Sequence, residues 1–361
     1  MPASGNHTTS FLAGGPQDGP LMIFCHGWPA IGKTWLPQLG AFSKLGFRVV
    51  APDMPGYGRS IVSNKPEHYS LENVNSIMGA LLTHLDRDSA IWIGHDWGAV
   101  AVWSFAAHYP EKVSAVVCLA RPYHTLEYGL EEVLKTVNRV IYPIDQFPYA
   151  QYDYQVYFQT NLSEASAWFE QDVEGVIRAI YAKGNPTEVG KPGLTANVNK
   201  AGGWFGGAPA PPPQLRQIPA DRLCVDEKLL EEIVQAMKRQ GSLVQTLVNR
   251  KYSMEKAKDG GYLSMPVLFV GANWDPISDV MVSDIAKAQK EYCKNLREVY
   301  LDAGHWVGLE KPDEVNVAIA GYRLILLLAS SAFTSAFGII SSAYLVRASF
   351  RSTINELTRS R

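Results

Sequence analysis

Residues 91–100, IWIGHDWGAV, constrain the fold more than any other stretch. A short apolar strand has to turn sharply into a helix here. Gly94 and Gly98 stand two residues either side of Asp96, in the spacing G-x-D-x-G. That is the spacing of a nucleophile elbow, a tight strand-to-helix turn that pushes one side chain up into a pocket. A carboxylate in that position is a candidate nucleophile, forming an ester that a second chemical step must break.

The surrounding pattern is compatible with such a turn. Short β-rich runs recur at residues 21–25, 47–52, 90–94, 114–119, 266–271 and 296–301, and residues 6–13 could add one antiparallel edge strand. Segments of helical spacing lie between them, such as residues 70–85, where Ser70 is placed to cap the first turn. Strands alternating with helices predict an α/β fold, a mostly parallel central sheet covered by helices on both faces. The alternation breaks between Arg121 and Met265, where an aromatic-rich run (residues 147–159), a Gly/Pro-rich loop (201–213) and an amphipathic segment (226–240) intervene. This predicts a helical cap inserted over the carboxyl edge of the sheet, where α/β proteins bind ligands. The expected division is 1–121 and 261–328 for the two parts of the core, 122–260 for the cap, and 329–361 for an apolar, then basic, extension.

With 361 residues and a formal net charge of -2, the chain lacks the clustered basic excess of a nucleic-acid-binding surface. Its four cysteines are scattered, with no C-x-x-C pair, and no N-terminal segment reads as a signal peptide. A reducing, cytoplasmic setting is therefore expected. Residues 324–346 carry no charge and are long enough to span a bilayer, with arginines following. That orientation would put the rest of the chain across the membrane, so an apolar extension is the favoured reading over an anchor. Oligomeric state is left open by the sequence.

An ester on Asp96 needs an activated water, hence a histidine and an acid to orient it. His305, in LDAGHWVG, and Asp275, in VGANWDPI, each follow a strand-like run. Upstream, HGWP supplies a turn at Trp28 and Pro29, a candidate cis bond. The backbone N–H groups of Trp28 and Trp97 would form an oxyanion hole. His26 and His95 read as hydrogen-bonding loop residues, and Asp53 as part of a shaped turn.

Together HGWP, GHDWGA, the late WDP and GHW resemble the epoxide hydrolase and haloalkane dehalogenase branch of the α/β-hydrolases, over roughly His7 to Leu328. The likeness is strongest to soluble, fungal-type epoxide hydrolases. It implies the order nucleophile, acid, histidine along the chain. It also implies a small apolar epoxide and water as substrates, a diol product and no metal or organic cofactor. Two cap tyrosines would hydrogen-bond the epoxide oxygen. In YDYQVYFQ the first maps onto Tyr154, with Tyr152 and Tyr157 as its neighbours, and in VNRKYSMEK the second maps onto Tyr252, across a one-residue offset. A phenol suits this role because it donates a hydrogen bond without already being ionised. Haloalkane dehalogenation is the alternative, since Trp97 fits a halide donor, but Trp28 stands where that branch often has asparagine. A pocket that binds small molecules without turning them over is a further alternative.

Overall fold

Strands buried on both faces of a sheet have no use for alternation, so they read as unbroken apolar runs. Leu21–Cys25 (β2), Ala90–His95 (β4) and most of Val113–Leu119 (β5) are of this kind, with nearly every residue buried. The computed structural model describes residues 8–60, 62–63, 65–240 and 254–322. Tyr252 and residues 324–346 lie outside the described residues.

Among the described residues the sheet has seven strands, the others being Phe11–Gly14 (β1), Arg48–Pro52 (β3), Leu263–Ala272 (β6) and Cys293–Leu301 (β7), in the order β1-β3-β2-β4-β5-β6-β7. Phe11–Gly14 (β1) runs antiparallel at the edge against Arg48–Pro52 (β3), and every other pairing is parallel. Leu263–Ala272 (β6) and Cys293–Leu301 (β7) complete the second part of the core. The strand order reverses beside β2, and the carboxyl ends of the parallel strands meet at one edge, the usual place for a ligand site.

Helices cover both faces. Leu36–Lys44 (α1) and the late Pro312–Ala320 helix pack on one side, where they share a core with Phe24, Val117 and Val270. Leu71–His84 (α2) and Trp97–His108 (α3) pack on the other. The Ser70 hydroxyl caps α2 by accepting the Asn73 N–H, the bond that satisfies an otherwise orphaned first-turn donor. Every residue of α3 is buried, so it shows no polar face in sequence.

Between β5 and β6 the chain forms the cap. Its helices include Leu130–Leu134 (α4), Asp153–Thr160 (α5), Leu162–Gln171 (α6), Val173–Ile180 (α7) and the amphipathic Glu227–Gln240 helix. Specific bonds tie this layer to the core. The Tyr181 hydroxyl donates to the Pro29 carbonyl at 2.6 Å, and the Trp306 indole N–H donates to the Ile180 carbonyl at 2.7 Å. Tyr181 and Trp306 also stack, with ring centroids 4.1 Å apart. Among the described residues no helix is long and apolar enough to cross a membrane.

Candidate active site

The turn from β4 into α3 needs both of its glycines. A Cβ on Gly94 would come 2.5 Å from the Cα of Ala99, and one on Gly98 would come 2.1 Å from the Cys25 carbonyl oxygen. Asp96, between them, takes φ 53 and ψ -124, a conformation that is strained for a side chain other than glycine. The packing of β4 and α3 imposes it, and the carboxylate is thereby aimed at the carboxyl edge of the sheet.

Three loops converge on that carboxylate. After β2, the Trp28 N–H donates to Asp96 Oδ1 at 2.9 Å, and the Trp28–Pro29 peptide is cis. After β7, His305 Nε2 lies 3.6 Å from Asp96 Oδ2. After β6, Asp275 Oδ2 accepts the His305 Nδ1–H at 3.0 Å, while its Oδ1 accepts the Ile277 N–H at 2.9 Å. The bond to Asp275 fixes the imidazole so that Nε2 faces Asp96. Asp96, Asp275 and His305, read separately from the sequence, are thus brought together, and Trp97 follows Asp96 as the first residue of α3.

The other expected structural residues hold these loops. His26 Nε2 accepts the Met54 N–H, and the His95 Nε2–H donates to the His305 carbonyl at 2.7 Å. Asp53 accepts the N–H groups of Gly32 and Arg59, which shapes its turn. Burial, then the neighbouring His305 charge, pushes His95 down to about 4, so it stays a neutral donor.

Two contributors were not anticipated from the sequence. Arg121, at the end of β5, is 1% exposed, and its Nε sits 3.6 Å from Asp96 Oδ2. Glu310 Oε2 accepts the N–H groups of Gly304 and Gly184, both at 3.1 Å, and so joins the loop of His305 to the cap. A charged residue two positions beyond a largely apolar strand was the only signal for Arg121.

These charges govern the carboxylates. Burial alone would raise Asp96, but His305, Arg121, His95 and the Trp28 N–H outweigh it and hold the carboxyl below the usual range. Asp275 is likewise lowered: burial opposes ionisation, and the charge and hydrogen bond of His305 overcome it. For His305 burial favours the neutral form, yet Asp275 and then Asp96 raise it above an ordinary histidine.

The cap closes over Asp96 with aromatic side chains. Trp28 meets Phe169 edge-on at 5.7 Å, and Tyr154, Phe158, Trp204 and Phe169 pack in one cluster. Tyr154, on α5, is close enough for the Asp96 and Arg121 charges to act on its phenol, which burial raises, and its hydroxyl oxygen accepts from Gln155 Nε2 at 3.2 Å. Among the described residues, no cluster of three or more His, Cys, Asp or Glu side chains is arranged to hold a metal ion.

Comparison with known proteins gives a consistent picture. Residues 20–183 match the family model for the alpha/beta hydrolase fold. Bifunctional epoxide hydrolase 2 of Sus scrofa is 32% identical over 307 residues, which cover 82% of this chain and 50% of that protein. The chain therefore spans about half the length of that relative and of its mouse and rat counterparts. Epoxide hydrolase A of Mycobacterium tuberculosis is 26% identical over 316 residues, covering 84% of this chain and 90% of that protein. The crystal structure of Epoxide Hydrolase A from Mycobacterium thermoresistibile superposes with a TM-score of 0.65 at 24% identity, over 86% of this chain and 93% of that one.

Proposed function

We propose that the chain, whose residues 20–183 match the family model for the alpha/beta hydrolase fold, is an epoxide hydrolase, adding water to an epoxide through an ester on Asp96. The observation that carries the reading is the shared focus of His305 and Asp96. An aspartate nucleophile with a histidine 3.6 Å from its reactive oxygen has both the attacking group and the base to release the product. The relatives named epoxide hydrolase support the choice of substrate.

Asp96 Oδ2 attacks one epoxide carbon. The carbon–oxygen bond breaks, its electron pair passes to the ring oxygen, and Tyr154 supplies the proton, with Tyr252 as the expected second donor. His305 Nε2 then takes a proton from water, and the resulting hydroxide adds to the Asp96 carboxyl carbon. Negative charge collects on Oδ1, where the Trp28 N–H already points and where the Trp97 N–H is the expected second donor. Collapse breaks the bond from Cγ to Oδ2, the proton held by His305 passes to the departing diol oxygen, and the proton of the new Asp96 carboxyl group restores the Tyr154 phenol. Asp275 keeps the imidazole oriented and stabilises its charge. An aspartate suits this sequence because displacement at a saturated carbon leaves an ester that can be hydrolysed at its own carbonyl. The aromatic cap suits a small apolar epoxide, and four unpaired thiols fit the cytoplasmic setting.

A single turnover of styrene oxide in oxygen-18 water tests the reading. Label should enter Asp96 first and reach the diol only in later cycles. Label in the first diol would mean direct attack by water. Halide release from a haloalkane, with no diol from any epoxide, would transfer the reading to the dehalogenases.

A further inference from the structure

Arg121 is a built feature of the pocket. Ala120 takes φ 65 to turn the chain at the end of β5. The Ser278 hydroxyl donates to the Ala120 carbonyl, and the Trp103 indole N–H donates to the Arg121 carbonyl at 2.9 Å. A backbone anchored this way delivers the guanidinium to a fixed spot beside the nucleophile. Yet the guanidinium does not hydrogen-bond the nucleophile through Nε, because 3.6 Å is beyond that range. Among the described residues, Nε and Nη1 have no hydrogen-bond partner, and neither has the hydroxyl of wholly buried Tyr152. The guanidinium is close enough for its charge to act on the Tyr152 phenol. Donors buried without partners are costly, and a ligand that satisfies them is favoured.

The chemistry sharpens the point. Ester formation neutralises Asp96, the anion beside Arg121. A buried cation that loses its partner is strongly destabilised. Ring opening moves that negative charge to the Tyr154 oxygen, which the Arg121 charge also reaches, and reprotonation removes it before the cycle closes. Asp275, the other nearby carboxylate, is already engaged by His305. A permanent negative charge on the substrate would stay opposite Arg121 through both steps. Arg121 lies beside the same Asp96 oxygen that the substrate must meet.

We propose that Arg121, with the Tyr152 hydroxyl, forms an anion subsite that selects epoxides carrying a carboxylate next to the ring. The inference rests on the epoxide reading for its chemistry but not for its binding, and the test separates the two. One arm measures kcat/KM of the wild-type protein for 3-phenylglycidate, its neutral carboxamide and styrene oxide. The acid should exceed the amide by about tenfold or more, the range of a charge-assisted hydrogen bond. In Arg121→Gln the ratio of acid to amide should fall towards one, with Arg121→Lys between the two. The other arm measures thermal stabilisation by trans-cinnamate and by cinnamamide, which carry no epoxide. Cinnamate alone should raise the melting temperature, and Arg121→Gln should abolish the shift. Turnover of styrene oxide with equal rates for acid and amide and no stabilisation by cinnamate would overturn the subsite and leave the epoxide reading standing. Stabilisation by cinnamate, lost in Arg121→Gln, with no epoxide opened, would support the subsite and overturn the epoxide reading. The wild-type comparisons decide the matter even if both variants fail to fold.

Discussion

Nε2 of His305 stands 3.6 Å from Oδ2 of Asp96, and the separation is longer than a hydrogen bond. A base that only had to hold the carboxylate would sit closer. Under the proposed mechanism the ester, not the free carboxylate, is its target, and the gap leaves the histidine free to meet a water.

His305→Gln should therefore leave attack by Asp96 intact and stall the second step. The loss of a general base slows hydrolysis by roughly 100- to 10,000-fold. Intact-mass spectra taken after mixing with an epoxide should show protein heavier by the mass of one substrate. A variant that is inactive yet never carries that mass would remove His305 from the second step.

Tyr154→Phe should act on the opposite half of the cycle. It removes the proton donor for the ring oxygen but leaves the aromatic packing against Phe158 and Trp204. Epoxide opening should slow by about 100-fold or more, the usual scale for a general acid, while hydrolysis of an ester already formed changes little. Single-turnover quench measurements separate the two rates. Equal slowing of both would mean that Tyr154 merely packs the cap.

Gly27 has no side chain because Asp96 occupies the space. A Cβ there would come 2.4 Å from Asp96 Oδ1. Gly27→Ala must push the carboxylate off the Trp28 N–H, and displacements of about 1 Å can cost 100-fold in rate. We expect a loss of that order in kcat/KM with a melting temperature that shifts far less, measured on the same preparation. Wild-type kinetics would mean that Asp96 has freedom to move.

Much of this architecture was legible in the sequence, for identifiable reasons. The strands could be read because a parallel sheet covered on both faces writes them as apolar runs. Asp96, Asp275 and His305 could be read because each lies in the loop or turn that leaves a strand, and the strand ends share one edge of the sheet. Arg121 escaped because it carries no motif, and no local pattern shows that the ends of β4 and β5 bring it to Asp96. Glu310 escaped for the same reason: its partners, Gly184 and Gly304, come from the cap and the core. The helix α3 shows the limit of periodicity, since burial on every side removes the polar stripe that would mark it. Tyr252 lies outside the described residues, so its role rests on the sequence resemblance alone.

The two half-reactions should part company as the pH falls. Attack needs Asp96 ionised. Burial opposes that charge, but His305, Arg121, His95 and the Trp28 N–H together hold its pKa below the ordinary carboxylate value, so attack persists in mild acid. Hydrolysis needs His305 neutral. Burial favours that form, but Asp275 and Asp96 raise its pKa, so the neutral base is lost at a higher pH than in a free histidine. Ester formation removes the Asp96 contribution and leaves the charge and hydrogen bond of Asp275, which still favour the protonated imidazole. The acid limb of hydrolysis should therefore lie above that of attack, and the ester should accumulate in the wild-type protein at about pH 5.5, one unit below the ordinary histidine pKa. Rapid quench across a pH series, followed by intact mass, measures the fraction of esterified Asp96 directly. That fraction should climb as pH falls through the histidine range, then drop only in stronger acid. A fraction that stays flat while turnover declines would mean that one ionisation controls both steps, and His305 would no longer be the base that limits hydrolysis.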